Sequence, residues 1–399
     1  VVSSAGKTLK VDLPQPQIVA NYYKDLKVLA IPLAHKFRRS DTEKVVVSSS
    51  YNQDLSRIAV RGNKTIFASS EPGWIQYEFA DNFTCNSLKI DWTASNYQIN
   101  RIKILASNDA VNFTEIVQLT APRTGWLDWD NGVTHTIPHT TAKYYRFVYD
   151  PAGSEPGAED LDVAKWKPSI KFTGITLFEE SKITNIEGKS GEIWRVSPYT
   201  ATDFVDKKSI INSTKVIDIT NAMDEKGNLA FTLPSGLWKI LRIGHTSTGH
   251  KNETAGAGKG LEADKLDSDI MGFQFEQWYG TAKKSIAPDI SKDVLTLYHI
   301  DSWECGSQNW TRKMVEEFEK RRNYPLDKYW PVLTGMIVNT MEESEAFLSD
   351  YRLTLAELLN EKCFGTLKAK SEQYGVKFTA ETTAPVMASD GLSHFSYTD

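Results

Sequence analysis

Apolar and polar residues alternate with a period of two along most of the chain, and only beyond residue 300 does the period lengthen to nearly four. The runs LKVDLP near the start and LKVLAIPL at 26–33, interrupted by Pro14, Pro16 and Pro32, predict strands whose partners are not local, so residues 1–47 read as a β-rich lead-in. From 48 to 180 the pattern is uniformly β: WIQYEFA (74–80), SLKIDW (87–92), RIKILAS (101–107), FTEIVQL (113–119), YYRFVYD (144–150) and KFTGITLFE (171–179), parted by turn clusters such as Ser107-Asn108-Asp109. Many short strands at this spacing predict a β-sandwich. EIWRVS (192–197), KVIDIT (215–220), LAFTLP (229–234) and LWKILRIGH (237–245) extend the β character through a linking domain, 181–290.

The last segment, 291–399, changes grammar. LTLYHI (295–300) predicts a strand with Asp301, Trp303 and Glu304 at its C-terminal end. Trp310, Met314, Val315 and Phe318 then share one side of a helix over 309–323, which Asn323 and Pro325 close. Residues 343–374 repeat the helical period, as two pieces around Gly365, and VKFTAE (376–381) predicts a second strand ending in Glu381. Strand, acid, helix, strand, acid is the order of β/α barrel units with their functional ends aligned. Only about two such strands are present, so the expectation is a multidomain α+β chain: a β-sandwich and a further β-rich region, followed by part of a (β/α)8 TIM barrel.

Composition narrows the function classes. A net charge of −5 supplies no basic footprint and argues against nucleic acid as a partner. No run nears the roughly 18 apolar residues of a membrane span. Cys85, Cys305 and Cys363 lie far apart without metal-ligand spacing, which argues against a disulfide framework and a structural zinc site. The 11 Trp, 16 Tyr and 17 Phe clad cores first, and they permit sugar-stacking platforms. Trp126 and Trp129, in a turn-rich stretch, are candidates for such a platform, with a packing role as the alternative.

The candidate chemistry is carboxylate chemistry. Glu304 and Glu381 each follow an extended run, so on parallel strands both would point from one rim. Glycosidic hydrolysis needs two such groups, one protonated to donate to the leaving oxygen and one ionised to activate water or attack carbon. Asp301 could hold a sugar hydroxyl or raise the pKa of Glu304 by like-charge proximity. The polar, Gly-rich loop TSTGHKNETAGAGKGLEADKLD adds Glu262, Asp264 and Asp267 as candidate ligands for substrate hydroxyls or a hard cation, surface solvation being the plain alternative. Its glycines do not make a phosphate loop, because the full GxxxxGK[ST] pattern is absent. His299 and His394 lie in the same region, and His394 joins the candidate substrate contacts, although a lone strand histidine is more often a satisfied core or rim residue.

Two resemblances add to this reading. The order WIQYEFADNFTCNSLKIDW, RIKILASNDAVNFTEIVQL, AKYYRFVYD resembles the galactose-binding-like jelly roll, the discoidin-type module. The runs YHIDSWECGSQNWTRKMVEEFEKRRNYPLDKYWPVLTG, SEAFLSDYRLTLAELL and YGVKFTAETTAP, with GKGLEADKLD before them, resemble glycoside hydrolase family 106, the α-L-rhamnosidases. This second resemblance implies a barrel interrupted by β-rich insertions, of which the chain would be an internal portion. It implies inverting hydrolysis with a bound calcium, to which Asp264 is assigned as a ligand. It places the acid on Glu304 and the base on Glu381; Asp301, Trp303, His394, Glu262 and Trp129 are the candidate substrate contacts read from the residues themselves. Thr382-Thr383-Ala384 departs from the aromatic or Gly that commonly follows the family's second acid, which leaves the sugar and the activity open. The expected partner is an oligosaccharide or polysaccharide from a plant or microbial glycan, met in an extracellular or periplasmic setting. A non-catalytic carbohydrate-binding or scaffolding protein, and a hydrolase of another glycoside, are the alternatives.

Overall fold

The computed structural model describes residues 1–399 apart from 93–100, 121, 125–131, 153–168, 253, 255, 304–305 and 382–388. Trp126, Trp129, Glu304 and Cys305 therefore lie outside the described residues.

The lead-in and the linking segment form one sheet. Strand Tyr23–Leu33 runs antiparallel to Gly236–Thr246, from Leu33 opposite Leu237 to Tyr23 opposite Thr246, with Val2–Ser4 and Ile217–Asp218 on the two edges. A pairing across some two hundred residues leaves no local trace, so the sequence pattern separates what the fold unites. Both faces of Tyr23–Leu33 are covered: Val28 and Ala30 enter a small core with Ile219, Leu229 and Trp238, while Leu29 and Ile31 enter the large core of the helical region. The period-two alternation thus sends successive side chains into different cores.

Strands Gly73–Trp92 and Val133–Tyr149 are each long enough to cross a bend and serve both layers of the sandwich. They pair with each other on both sides of register shifts at Thr136/Thr140 and Ala142/Tyr144; beyond the shifts Gly73–Trp92 also pairs with Val45–Ser49 and Val133–Tyr149 with Lys103–Ser107, and before them Gly73–Trp92 also pairs with Ile170–Phe178. The enclosed core is rich in aromatics, and two of its phenols bond internally: Tyr77 donates to the Ile175 carbonyl (2.8 Å) and Tyr145 to the Phe83 carbonyl (2.7 Å). Because Val45–Ser49 pairs with Gly73–Trp92, the sandwich recruits residues from the end of the lead-in.

Residues 181–196 tie the sandwich to the helical region. The Asn185 amide and the Glu187 carboxylate grip Thr134 of the sandwich, while Asn309 and Arg352 of the helical region donate to the carbonyls of Ser190 and Lys189.

The C-terminal region carries two parallel strand pairs among the described residues: Ile210–Ile211 with Ile337–Val338, and Leu297–Ile300 with Lys377–Ala380. They are fragments of a β/α arrangement; the described residues do not close a barrel. Met341–Leu358 starts on an N-cap, the Thr340 hydroxyl accepting from the Glu343 amide, and continues through a wide turn at Leu359–Phe364 into Gly365–Gln373. Gly365 therefore does not divide the helix; Gly375, at φ +64°, stops it. Helices also fill much of 268–294, which the sequence pattern assigns to a β-rich domain. Ile270, Phe273, Trp278, Ile290 and Val294 are exposed there, so the segment lacks the single apolar stripe that marks a helix. No helix among the described residues is long and apolar enough to cross a membrane.

Candidate active site

The strands Leu297–Ile300 and Lys377–Ala380 run parallel in the register Tyr298–Phe378, His299–Thr379, Ile300–Ala380. Tyr298 and Phe378 point into the core and stack there, 6.0 Å between ring centroids. Alternation then turns His299 and Thr379 outward, joined by a 2.8 Å contact between His299 Nδ1 and Thr379 Oγ1. One step further the Glu381 amide donates to the Ile300 carbonyl (2.9 Å), which continues the ladder and sets Glu381 beside Asp301. One ligand-capable atom from each of His299, Asp301 and Glu381 lies within 4.8 Å of the others, and all three residues are exposed.

That spacing suits a cation bound by all three, since donors about 2.0 to 2.6 Å from an ion stand up to roughly 5 Å apart. The set, one imidazole nitrogen and two carboxylates, is generic in its preference. Calcium takes six to eight oxygens, and an imidazole also serves transition metals. The structure therefore gives a possible chelating cluster without a cation identity.

Asp264, expected as the metal ligand, sits elsewhere with both oxygens occupied. Thr311 donates its hydroxyl to one (2.7 Å) and the Leu266 amide donates to the other (3.0 Å). Burial raises its pKa, only partly countered by those two donors. Asp267 caps helix Ser268–Phe275 and pairs with Arg312; burial works against its charge, but Arg312 and the Asp269 amide outweigh that and hold its pKa below the usual range. His299, which the sequence treats as a rim residue, takes the place beside the carboxylates. The i, i+2 spacing of His299 and Asp301, matched by Thr379 and Glu381, is the signal that could have found it.

Trp303, three residues past Leu297–Ile300, is held in place. Trp303 is 8% exposed: it packs on Trp194, 4.9 Å between centroids, and the Lys265 ammonium lies 4.5 Å from its ring centroid. Its indole N–H donates to the Gly306 carbonyl (2.5 Å). Glu262, a second expected substrate contact, pairs with Lys265 and is largely covered. His394 is fully buried, stacked on Phe364 at 4.1 Å and bonded through Nε2 to the Ser389 hydroxyl (2.6 Å). Burial lowers its pKa, and its ring reaches no solvent-facing site. The structure thus brings together Asp301 and Glu381 with His299, pairs Glu262 with Lys265, packs Trp303 on Trp194 and Lys265, occupies Asp264 with Thr311 and Leu266, and sets His394 in the interior; Glu304 and Trp129 fall outside the described residues.

Comparison with known proteins follows this geometry. A family model described as alpha-L-rhamnosidase, glycoside hydrolase family 106, matches residues 1–399. The structure of a rhamnosidase from Novosphingobium sp. PP1Y superposes with a TM-score of 0.77 at 21% identity, over 99% of this chain and 37% of that one. A Formosa agariphila protein named for beta-glucuronidase is 33% identical over 181 residues, 45% of this chain and 16% of its own length. The chain thus spans well under half the length of these relatives.

Proposed function

Because the chain belongs to glycoside hydrolase family 106, whose model matches its whole length, we propose that it carries part of the active site of an inverting α-L-rhamnosidase-like enzyme acting on a complex plant or microbial glycan. The observation that supports this most is the meeting of Asp301 and Glu381 at adjacent ends of two parallel strands, Asp301 lying three residues before Glu304 in sequence. In this reading Glu304 is the general acid and protonates the leaving oxygen. Glu381 is the general base and takes a proton from the water that attacks the anomeric carbon. An inverting pair stands about 6.5–9.5 Å apart to admit that water. Asp301 and His299 bind substrate hydroxyls, directly or through a divalent cation held with Glu381. Calcium is the cation we propose; when bound it supplies a positive centre that neutralises the carboxylates and orients vicinal hydroxyls, with water and sugar oxygens completing its coordination. The setting is extracellular or periplasmic, where glycans of this kind are met.

The cluster also favours a second reading for one residue. A carboxylate that shares a cation with Asp301 and His299 is poorly placed to act as a free base, so Glu381 would serve as cation ligand and another carboxylate of the complete protein as base.

The test is to give the complete protein an aryl α-L-rhamnoside and follow the first-formed product by NMR. Release of β-L-rhamnose is expected. Release of the α anomer overturns inversion, and absence of turnover on any α-L-rhamnoside overturns the assignment. Azide restores activity to a Glu381→Ala form if Glu381 is the base and does not if it is a cation ligand.

A further inference from the structure

Thr379 stands directly opposite His299 in the parallel pair Leu297–Ile300 and Lys377–Ala380, and the reaction scheme above gives it no role. Its chain neighbours fix its backbone. Phe378 is fully buried against Tyr298 on one side, and on the other the Glu381 amide donates to the Ile300 carbonyl (2.9 Å). A β-branched side chain has few rotamers, so the place of the hydroxyl follows closely from that backbone. Alternation puts it on the face that carries His299, Asp301 and Glu381.

The 2.8 Å contact with Thr379 Oγ1 engages His299 through Nδ1, which leaves Nε2 as the ring atom available to a cation. A neutral imidazole carries one proton on its two nitrogens, so Nε2 offers a lone pair only when Nδ1 holds that proton. With the proton on Nε2 the ring presents an N–H to the carboxylates and cannot ligate. A hydroxyl suits both states. It donates to Nδ1 when Nε2 holds the proton and, after turning about its C–O bond, accepts from Nδ1–H when a cation takes Nε2.

We infer that Thr379 is a positioning residue for His299: its hydroxyl holds the ring beside Asp301 and Glu381 and accepts the Nδ1 proton when Nε2 binds the cation. This rests on the reading of His299, Asp301 and Glu381 as a cation site. Thr379 is itself no ligand. A partner that orients a ligating histidine is typically worth about 10- to 100-fold in metal affinity.

The experiment titrates the chelated, complete protein with manganese and with calcium by calorimetry. The forms compared are the parent, Thr379→Val, Thr379→Ser, His299→Gln, Asp301→Asn and the His299→Gln/Thr379→Val pair, with thermal unfolding of each metal-free form as the check on folding. Imidazole serves transition metals, whereas calcium prefers oxygen, so Thr379→Val should weaken manganese binding about tenfold or more and calcium binding less. Thr379→Ser should restore most of the loss. In the His299→Gln background Thr379→Val should cost less than about twofold more, because no ring is left to orient. Pulsed EPR of the bound manganese should show an imidazole nitrogen in the parent that His299→Gln removes. Unchanged manganese affinity in Thr379→Val, or the same loss with and without His299, while Asp301→Asn still weakens binding, would overturn the positioning role alone. No binding by the parent, or binding that Asp301→Asn leaves intact, would overturn the cation site and the positioning role with it. Should Thr379→Val fail to fold, Thr379→Ala carries the same comparison.

Discussion

Replacing Gly306 by alanine perturbs the candidate site without touching a charged group. Gly306 is buried, has φ +75°, and accepts the Trp303 indole N–H on its carbonyl. An L-residue in this left-handed region costs roughly 1–2 kcal/mol. The alanine methyl would also meet the His250 ring. That ring is exposed and can turn away for about 1 kcal/mol, the cost of leaving a preferred rotamer. The sum is about 2–3 kcal/mol, and the two contributions can be separated. In a Gly306→Ala/His250→Ala double variant the collision disappears and the backbone cost remains, so about 1 kcal/mol or less should be recovered. Gly306→Asn should sit better than alanine in the backbone, since asparagine tolerates positive φ, yet should still collide with His250. Urea unfolding followed by tryptophan fluorescence gives the stability differences, and turnover on an alkyl rhamnoside gives the functional ones. A Gly306→Ala form with an unchanged unfolding midpoint and unchanged turnover would refute the claim that the left-handed backbone and the Trp303 and His250 contacts of Gly306 matter to the fold or the site.

Two further outcomes follow from the geometry. Titration of the chelated, metal-free protein with calcium should give one binding event by calorimetry that Asp301→Asn and Glu381→Gln each weaken at least tenfold while Asp264→Asn leaves it in place; equal binding by all forms would remove the His299, Asp301 and Glu381 cluster as the cation site. Asp25, joined to Arg242 by paired bonds of 2.7 and 2.8 Å, has a pKa held below the usual carboxylate value chiefly by that guanidinium, against the effect of burial. A carboxyl whose pKa falls on folding stabilises the protein fully above its unfolded value, about 3.9, and that stabilisation is lost as pH drops through the lower folded value. Asp25→Asn should therefore cost about 1.5–3 kcal/mol at pH 7 and progressively less below pH 4 in thermal melts, whereas an equal cost at pH 7 and pH 3 would count against the ion pair as its source.

Much of this architecture is legible in the chain itself, and the parts that are not share physical causes. The alternation of Leu297, Tyr298, His299 and Ile300 and of Val376 to Glu381 marks two strands, and the acids at their ends mark the rim. Ile210–Ile211 and Ile337–Val338 leave no such trace, because two residues cannot display a period. The shared sheet of Tyr23–Leu33 and Gly236–Thr246 stays hidden because pairing partners are set by tertiary contact and not by local pattern. Trp303 illustrates a limit of residue type. It is expected as a substrate contact, while its neighbours Trp194 and Lys265, supplied from far away in sequence, leave no local trace. His299 shows the converse, since its type was noticed and its neighbours, supplied by the register with Thr379 and Glu381, were not.

The most direct test of the central claim is the turnover of an α-L-rhamnoside with a sugar aglycone by the complete protein and its Glu304→Gln and Glu381→Gln forms, each checked for folding. Losses of about a hundredfold or more in both forms, at unchanged thermal stability, are predicted. Turnover equal to that of the parent in both would contradict the assignment of this rim as the seat of hydrolysis.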